Sequence, residues 1–102
     1  MTYNTNFVLI LHYRKELKMT LSVRANLSTQ DIDGELVILD KDNSQIHQLN
    51  SVASIIWEHI ESGLDVNAIS EQLINCFDID EITARTDLDK VLKQLKELKL
   101  LT

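Results

Sequence analysis

His12, His47, His59 and Cys76 are the side chains of this chain best suited to hold a metal or to attack an electrophile. Their spacing serves neither purpose. A structural zinc site takes its ligands as closely spaced pairs, and here the lone cysteine has no partner thiol and the histidines stand far apart. Asp40-Lys41-Asp42-Asn43-Ser44-Gln45 imitates the opening of a calcium loop. It has Gln45 where that loop needs glycine and Ser51 where it needs the closing glutamate, so a turn is expected instead. Serines, histidines and acids are present, but no Gly-x-Ser-x-Gly elbow activates a nucleophile. No glycine-rich loop cradles a phosphate either. These residues call for no metal and no cofactor, and they form no catalytic motif.

The elements that carry them form one small domain. The chain has 102 residues, 44% hydrophobic and 25% charged, with no proline and two glycines. That is the balance of a globular protein with one modest core and no flexible linker. The net charge of -6 does not attract a polyphosphate backbone at long range. One cysteine makes no internal disulfide, which fits the cytoplasm. Phe7–Leu11 is an apolar run, but a membrane span needs roughly 20 apolar residues. As a signal peptide it lacks preceding positive charge and a small-residue cleavage site.

Residues 1–20 differ from the rest. Arg14, Lys15 and Lys18 against Glu16 give them a charge of +2, whereas residues 21–102 carry seven basic and fifteen acidic residues, or -8. Two readings are open for this extension. Translation can start at Met19, since Lys15-Glu16 encoded as AAG GAG reads as a bacterial ribosome-binding sequence. Alternatively, the segment is a true strand that pairs with the sheet or with a partner. The intact mass of the protein made from its own operon separates the two.

In residues 21–102, Val23, Ala25 and Leu27 alternate with Arg24 and Asn26, the period of a half-buried strand over 22–27. Ser28 to Gly34 reads as a polar connection. Glu35–Leu39 predicts a strand covered on both faces, Asp40–Ser44 a turn, and Gln45–Leu49 a third strand. Three helices follow. The first runs over 51–62 with Asn50 as N-cap and Gly63 as its stop. Val52, Ala53, Ile56, Trp57 and Ile60 are its buried face, which makes Trp57 a core residue. The second runs from after Asp65 to Phe77, burying Val66, Ile69, Leu73 and Phe77 with Cys76 beside them. The third starts near Asp80, with Asp78 and Glu81 spaced as a capping box. It carries the chain to its end on a seam of Ala84, Leu88, Val91, Leu95 and Leu98. The fold class is α+β, ordered β-β-β-α-α-α and winged-helix-like.

These residues carry a family resemblance. Gly34-Glu35, Leu49-Asn50, Ile56-Trp57-Glu58, Val66 to Ile69 and Asp78 to Glu81 stand in an order and spacing that resembles the PqqD-like family, the RiPP recognition elements. The resemblance spans about residues 22–101. It implies a non-catalytic cytoplasmic, bacterial domain that binds the leader of a ribosomally made precursor peptide. The leader is then presented to a modifying enzyme such as a radical-SAM maturase, a protease or a cyclase. The leader would add as a strand beside the third strand, facing the third helix. Ile46 and His47 stand where the family often carries aromatics, and residues 1–20 lie outside its pattern.

The residues suit that role. Gln45, Ile46, His47, Gln48 and Leu49 form a short strand without Lys or Pro, the usual blocks to edge pairing. A guest strand gains affinity from such an edge and specificity from alternate side chains. On the third helix, Arg85, Asp89, Leu92 and Lys96 share one flank at 4-3-4 spacing beside Leu88, giving apolar and charged contacts. Burying two or three leader side chains at roughly 1.5–3 kcal/mol each sets an affinity near the micromolar range after ordering costs. The bland readings are that Leu92 is core, that His47 is a surface histidine, and that Phe7–Leu11 covers the edge.

Two other functions fit the same elements. A winged helix can read DNA, but steps of three along Lys90, Lys93, Lys96 and Lys99 advance about 300° each and form no stripe. Asp87, Asp89 and Glu97 interleave and can pair with those lysines. The second helix, the expected reader, has no Lys or Arg. A general protein-interaction module remains open, and a short reading frame beside a peptide-modifying enzyme would separate it from leader binding.

Overall fold

The computed structural model describes residues 21–102. The expectations for residues 1–20, both the start at Met19 and the cover by Phe7–Leu11, lie outside the described residues. An antiparallel meander of β1 (Leu27–Ile32), β2 (Glu35–Asp40) and β3 (Gln45–Gln48) is followed by α1 (Ser51–Glu61), α2 (Val66–Phe77) and α3 (Glu81–Glu97). This is the expected α+β order.

The first strand is displaced from its expected place. Val23 makes a single bridge to Leu101, and the chain there runs beside the C-terminal residues through Arg24 N–H to the Leu100 carbonyl at 2.9 Å. Asn26 then turns the chain at φ 64°, and the polar run Leu27–Ile32 is the strand. Its cause is the turn. Asp33 and Gly34 both take positive φ, 55° and 86°, the two-residue connection that matches the twist of a hairpin. Asp31 steadies it by accepting the Gly34 N–H at 2.8 Å. As an outer strand, β1 needs no apolar alternation, and only Leu27 is partly buried.

β2 is covered on one face, not two. Leu36 and Ile38 enter the core, while Leu39 on the opposite face is 38% exposed. Period-two geometry puts Asp40 on the inner face as well, at the start of the β2–β3 turn. There it accepts from the Arg24 guanidinium and from Asn43 Nδ2 at 2.9 Å. Arg24 also donates to the Lys99 carbonyl at 2.7 Å, so one side chain joins the hairpin to the end of the chain. The Arg24 hydrogen bond, then that of Asn43, lowers the Asp40 carboxyl to about 2 from 3.8. Because the folded-state value is the lower one, this stabilisation is complete above the unfolded value. It is lost as pH falls from 3.8 through 2. In an acid titration followed by circular dichroism, Asp40→Asn should flatten that part of the stability profile, and Asp42→Asn should leave it in place.

The helix ends follow local chemistry. Asn50 caps α1 by accepting the Ala53 N–H at 2.9 Å, as expected. Asn50→Ala should cost about 1 kcal/mol in a urea melt. Gly63, at φ 89°, closes α1 with Leu64 N–H on the His59 carbonyl. The expected capping box at Asp78 and Glu81 does not form. Asp78 is the left-handed C-cap of α2, and Asp80 caps α3 through the Thr83 N–H at 2.7 Å. That bond lowers the Asp80 carboxyl below its ordinary value.

Nor does α3 reach the chain end. Lys99 takes φ 61°, and Leu100 N–H returns to the Leu95 carbonyl, a glycine-type stop built on lysine. Leu98 is therefore 41% exposed, and Leu100 and Leu101 fill the core in its place. Phe77 and Cys76, expected on or beside the buried stripe, are exposed at the end of α2. The core joins Leu36, Ile38, Trp57, Ile69, Leu88 and Leu95 between the sheet and the helices.

Candidate functional site

Among the described residues β3 is an outer strand of the sheet and pairs with β2 alone. Leu49 N–H binds the Leu36 carbonyl at 2.8 Å. Antiparallel pairs alternate, so His47 and Gln45 also turn their backbone groups toward β2. The N–H and C=O of Ile46 and Gln48 therefore point away from the sheet. These four groups, two residues apart, are the ladder that a further strand would use. The side chains alternate the other way. His47 and Leu49 stand opposite Ile38 and Leu36 on the inner face, and Ile46 stands opposite Leu39 on the outer face.

The strand is held from behind by a residue with no motif to announce it. Ser54 on α1 is buried, accepts the Leu36 N–H at 2.9 Å and donates to the Leu49 carbonyl at 3.2 Å. It ties the middle strand and the exit of β3 to one helix. Gln48 adds a bond to Glu35 Oε1 at 3.1 Å. His47 is half-buried, and its Nε2 finds no hydrogen-bond partner among the described residues.

On α3, Leu88 is sealed in the core, and Leu92 is 6% exposed. Asp89, Leu92 and Lys96 come together, with Lys93 and Glu97, around an open depression of about 390 Å³. Leu92 is thus both core and the apolar floor of that depression. Arg85, on the same stripe, turns instead to α2, where it donates to Asn67 Oδ1 at 3.3 Å and lines a separate cleft with Glu71 and Glu81. The backbones of β3 and α3 do not approach within 8 Å of each other. Of the residues named from sequence, those of β3 stand on the sheet edge, Asp89, Leu92 and Lys96 share the depression on α3, and Arg85 lies in a different cleft.

Other chemistry finds little here. Among the described residues, no three His, Cys, Asp or Glu side chains group to hold a metal ion. No helix among them is long and apolar enough to cross a membrane. The ion pairs among them are those of Arg24 with Asp40 and Asp42, so the lysines of α3 do not pair with its acids as the sequence suggested.

No curated protein sequence matches the chain. One solved structure, described as TbiB1 in complex with the TbiA(beta) leader peptide, is 26% identical, with TM-score 0.74 over 78% of this chain and 93% of that one. A second, a lasso peptide synthetase B1 complexed with the leader peptide, is 21% identical and shares the fold at TM-score 0.76, over 82% of this chain and 99% of that one. Residues 35–101 match the sequence profile of the family described as coenzyme PQQ synthesis protein D, PqqD. Those residues run from the first residue of β2 to the closing bridge at Leu101, and the chain belongs to the PqqD family.

Proposed function

We propose that this domain binds the leader segment of a ribosomally synthesised precursor peptide and presents it to a modifying enzyme. The leader adds as a fourth strand on Ile46 and Gln48, and its inward side chains meet His47, Leu49 and the Leu92 flank of α3. The observation that carries this is the ladder on β3 that the described residues leave open, in a fold whose 26%-identical neighbour was solved with a leader peptide. The domain does no chemistry itself. The partner enzyme is a radical-SAM maturase, a protease or a cyclase, and the meeting takes place in the cytoplasm, where precursors are made.

The test is an NMR titration of labelled protein with the leader from the nearest short reading frame, using a duplex DNA as control. Shifts at Gln45–Leu49 and along Asp89 to Lys96, with leader only, are expected. Shifts with DNA centred on α2 would overturn the reading in favour of a nucleic-acid function. Leader-induced shifts confined to the Arg85 cleft would move the site to the other side of α3.

A further inference from the structure

α2 and α3 pack against each other, and a cleft of about 460 Å³ opens between them. It shares no lining residue with the depression at Leu92. Asn67, Ser70, Glu71 and Ile74 line one side, at the spacing of a single helix face. Glu81 and Arg85, about one turn apart on α3, line the other. The volume lies in the range of small-molecule sites.

Charge in this cleft is of both signs and unpaired. Glu81 precedes Arg85 by one turn, the order in which a helix favours an ion pair. No such pair forms, because the ion pairs among the described residues are those of Arg24. Arg85 donates instead to Asn67 Oδ1, which leaves the rest of its fork of donors for a ligand. Glu71 likewise has no described cation within ion-pair distance. Opposite charges held apart in one cleft fit a molecule that carries both. Ser70 points to a ligand independently. It is 5% exposed, it lines the cleft, and its hydroxyl makes no hydrogen bond to a described residue. A buried hydroxyl calls for a partner. The half-buried Ile74 is the apolar part of the lining.

We propose that the cleft between α2 and α3 binds a small zwitterion, a free α-amino acid or a dipeptide with an aliphatic side chain. Its carboxylate accepts from Arg85 and from Ser70 Oγ. Its ammonium donates to Glu71 and Glu81, and its side chain packs on Ile74. An arginine fork holds a carboxylate by two parallel bonds, and such charge-assisted bonds are the strong ones. A simple anion or cation meets only half of this lining and is repelled by the other half. The site stands apart from leader binding, since no residue of β3 lines it.

The labelled full chain would be titrated with leucine and with glycyl-leucine while its amide shifts are followed. Saturable shifts at Asn67, Ser70, Glu71 and Arg85 are expected, with a Kd on the order of 1 mM for charged contacts this open to solvent. The tighter of the two probes tells whether an amino acid or a dipeptide is the better occupant. N-acetyl-leucine and leucine methyl ester each lack one charge, and each should bind at least about fivefold more weakly. Arg85→Met should weaken leucine by a similar factor, and so should Glu71→Gln combined with Glu81→Gln. These side chains are exposed, and a thermal melt checks that each variant is folded. No saturable shift in the cleft with either probe up to about 50 mM overturns the proposal. N-acetyl-leucine or the methyl ester binding as tightly as leucine reduces the cleft to a site for one charge and overturns it as well. Leader-induced shifts at Ser70 and Glu71 would make the cleft part of the leader site, which also overturns it.

Discussion

Ile46→Pro should leave the domain folded and cut its affinity for the leader about tenfold to a hundredfold, on the order of 1.4–2.8 kcal/mol. Proline removes one N–H, and at Ile46 that N–H faces the open edge rather than β2. Outer strands tolerate proline in this orientation. The residue before it, Gln45, is already extended, as a pre-proline residue prefers. The ring would stand where a guest carbonyl must come. Ile46→Ala keeps the N–H and isolates the backbone from the side chain, so it should lose far less. The measurement is leader binding by fluorescence anisotropy alongside a thermal melt. A proline variant that melts like the parent and binds leader equally well would show that the peptide does not enter as a strand.

The second large effect concerns stability. Trp57 is fully buried in the core that spans the sheet and all three helices. Trp57→Ala should cost about 3–5 kcal/mol by denaturant titration. A small domain has roughly 5–15 kcal/mol in all, so this variant should sit close to unfolding at 37 °C. Trp57→Phe separates volume from polarity. The indole Nε1 has no hydrogen-bond partner among the described residues, so the phenyl ring gives up area but no bond to them. Its cost should be well under half that of the alanine variant. A Phe variant as unstable as the alanine one would mean that the indole N–H has a partner in solution.

These expectations draw on elements of unequal legibility. The helical faces were readable because burial imposes a 3.6-residue period, and Trp57, Ile60, Leu88 and Leu95 obeyed it. Asn50 and Gly63 announced the ends of α1 because their side chains, or the lack of one, do the capping. β1 was misplaced because an outer strand with little to bury carries no alternation. Its only signature was the Asp33-Gly34 pair between Ile32 and Glu35. The end of α3 was hidden because a lysine, not a glycine, takes the left-handed position, held there by Leu100 and Leu101 turning into the core. At the site, β3 was legible as a short strand without blocking residues. Arg85 was assigned by helical spacing alone, and spacing does not register Asn67 across the neighbouring helix. Ser54, the buried link behind β3, and the Arg24–Asp40 pair join residues distant in sequence and leave no local trace.

The bridge between Val23 and Leu101 has a further consequence. Thr102 N–H binds the Ser22 carbonyl at 3.0 Å, and their hydroxyls meet, so the two ends of the folded unit leave from one point. A module with adjacent ends can be spliced into a host polypeptide through two short linkers, because the host need open by little more than the width of a strand pair. Grafted that way into a surface loop of a modifying enzyme, the unit would hold its guest peptide at a local concentration fixed by the linkers. Recruitment would then no longer depend on how much of either protein the cell makes.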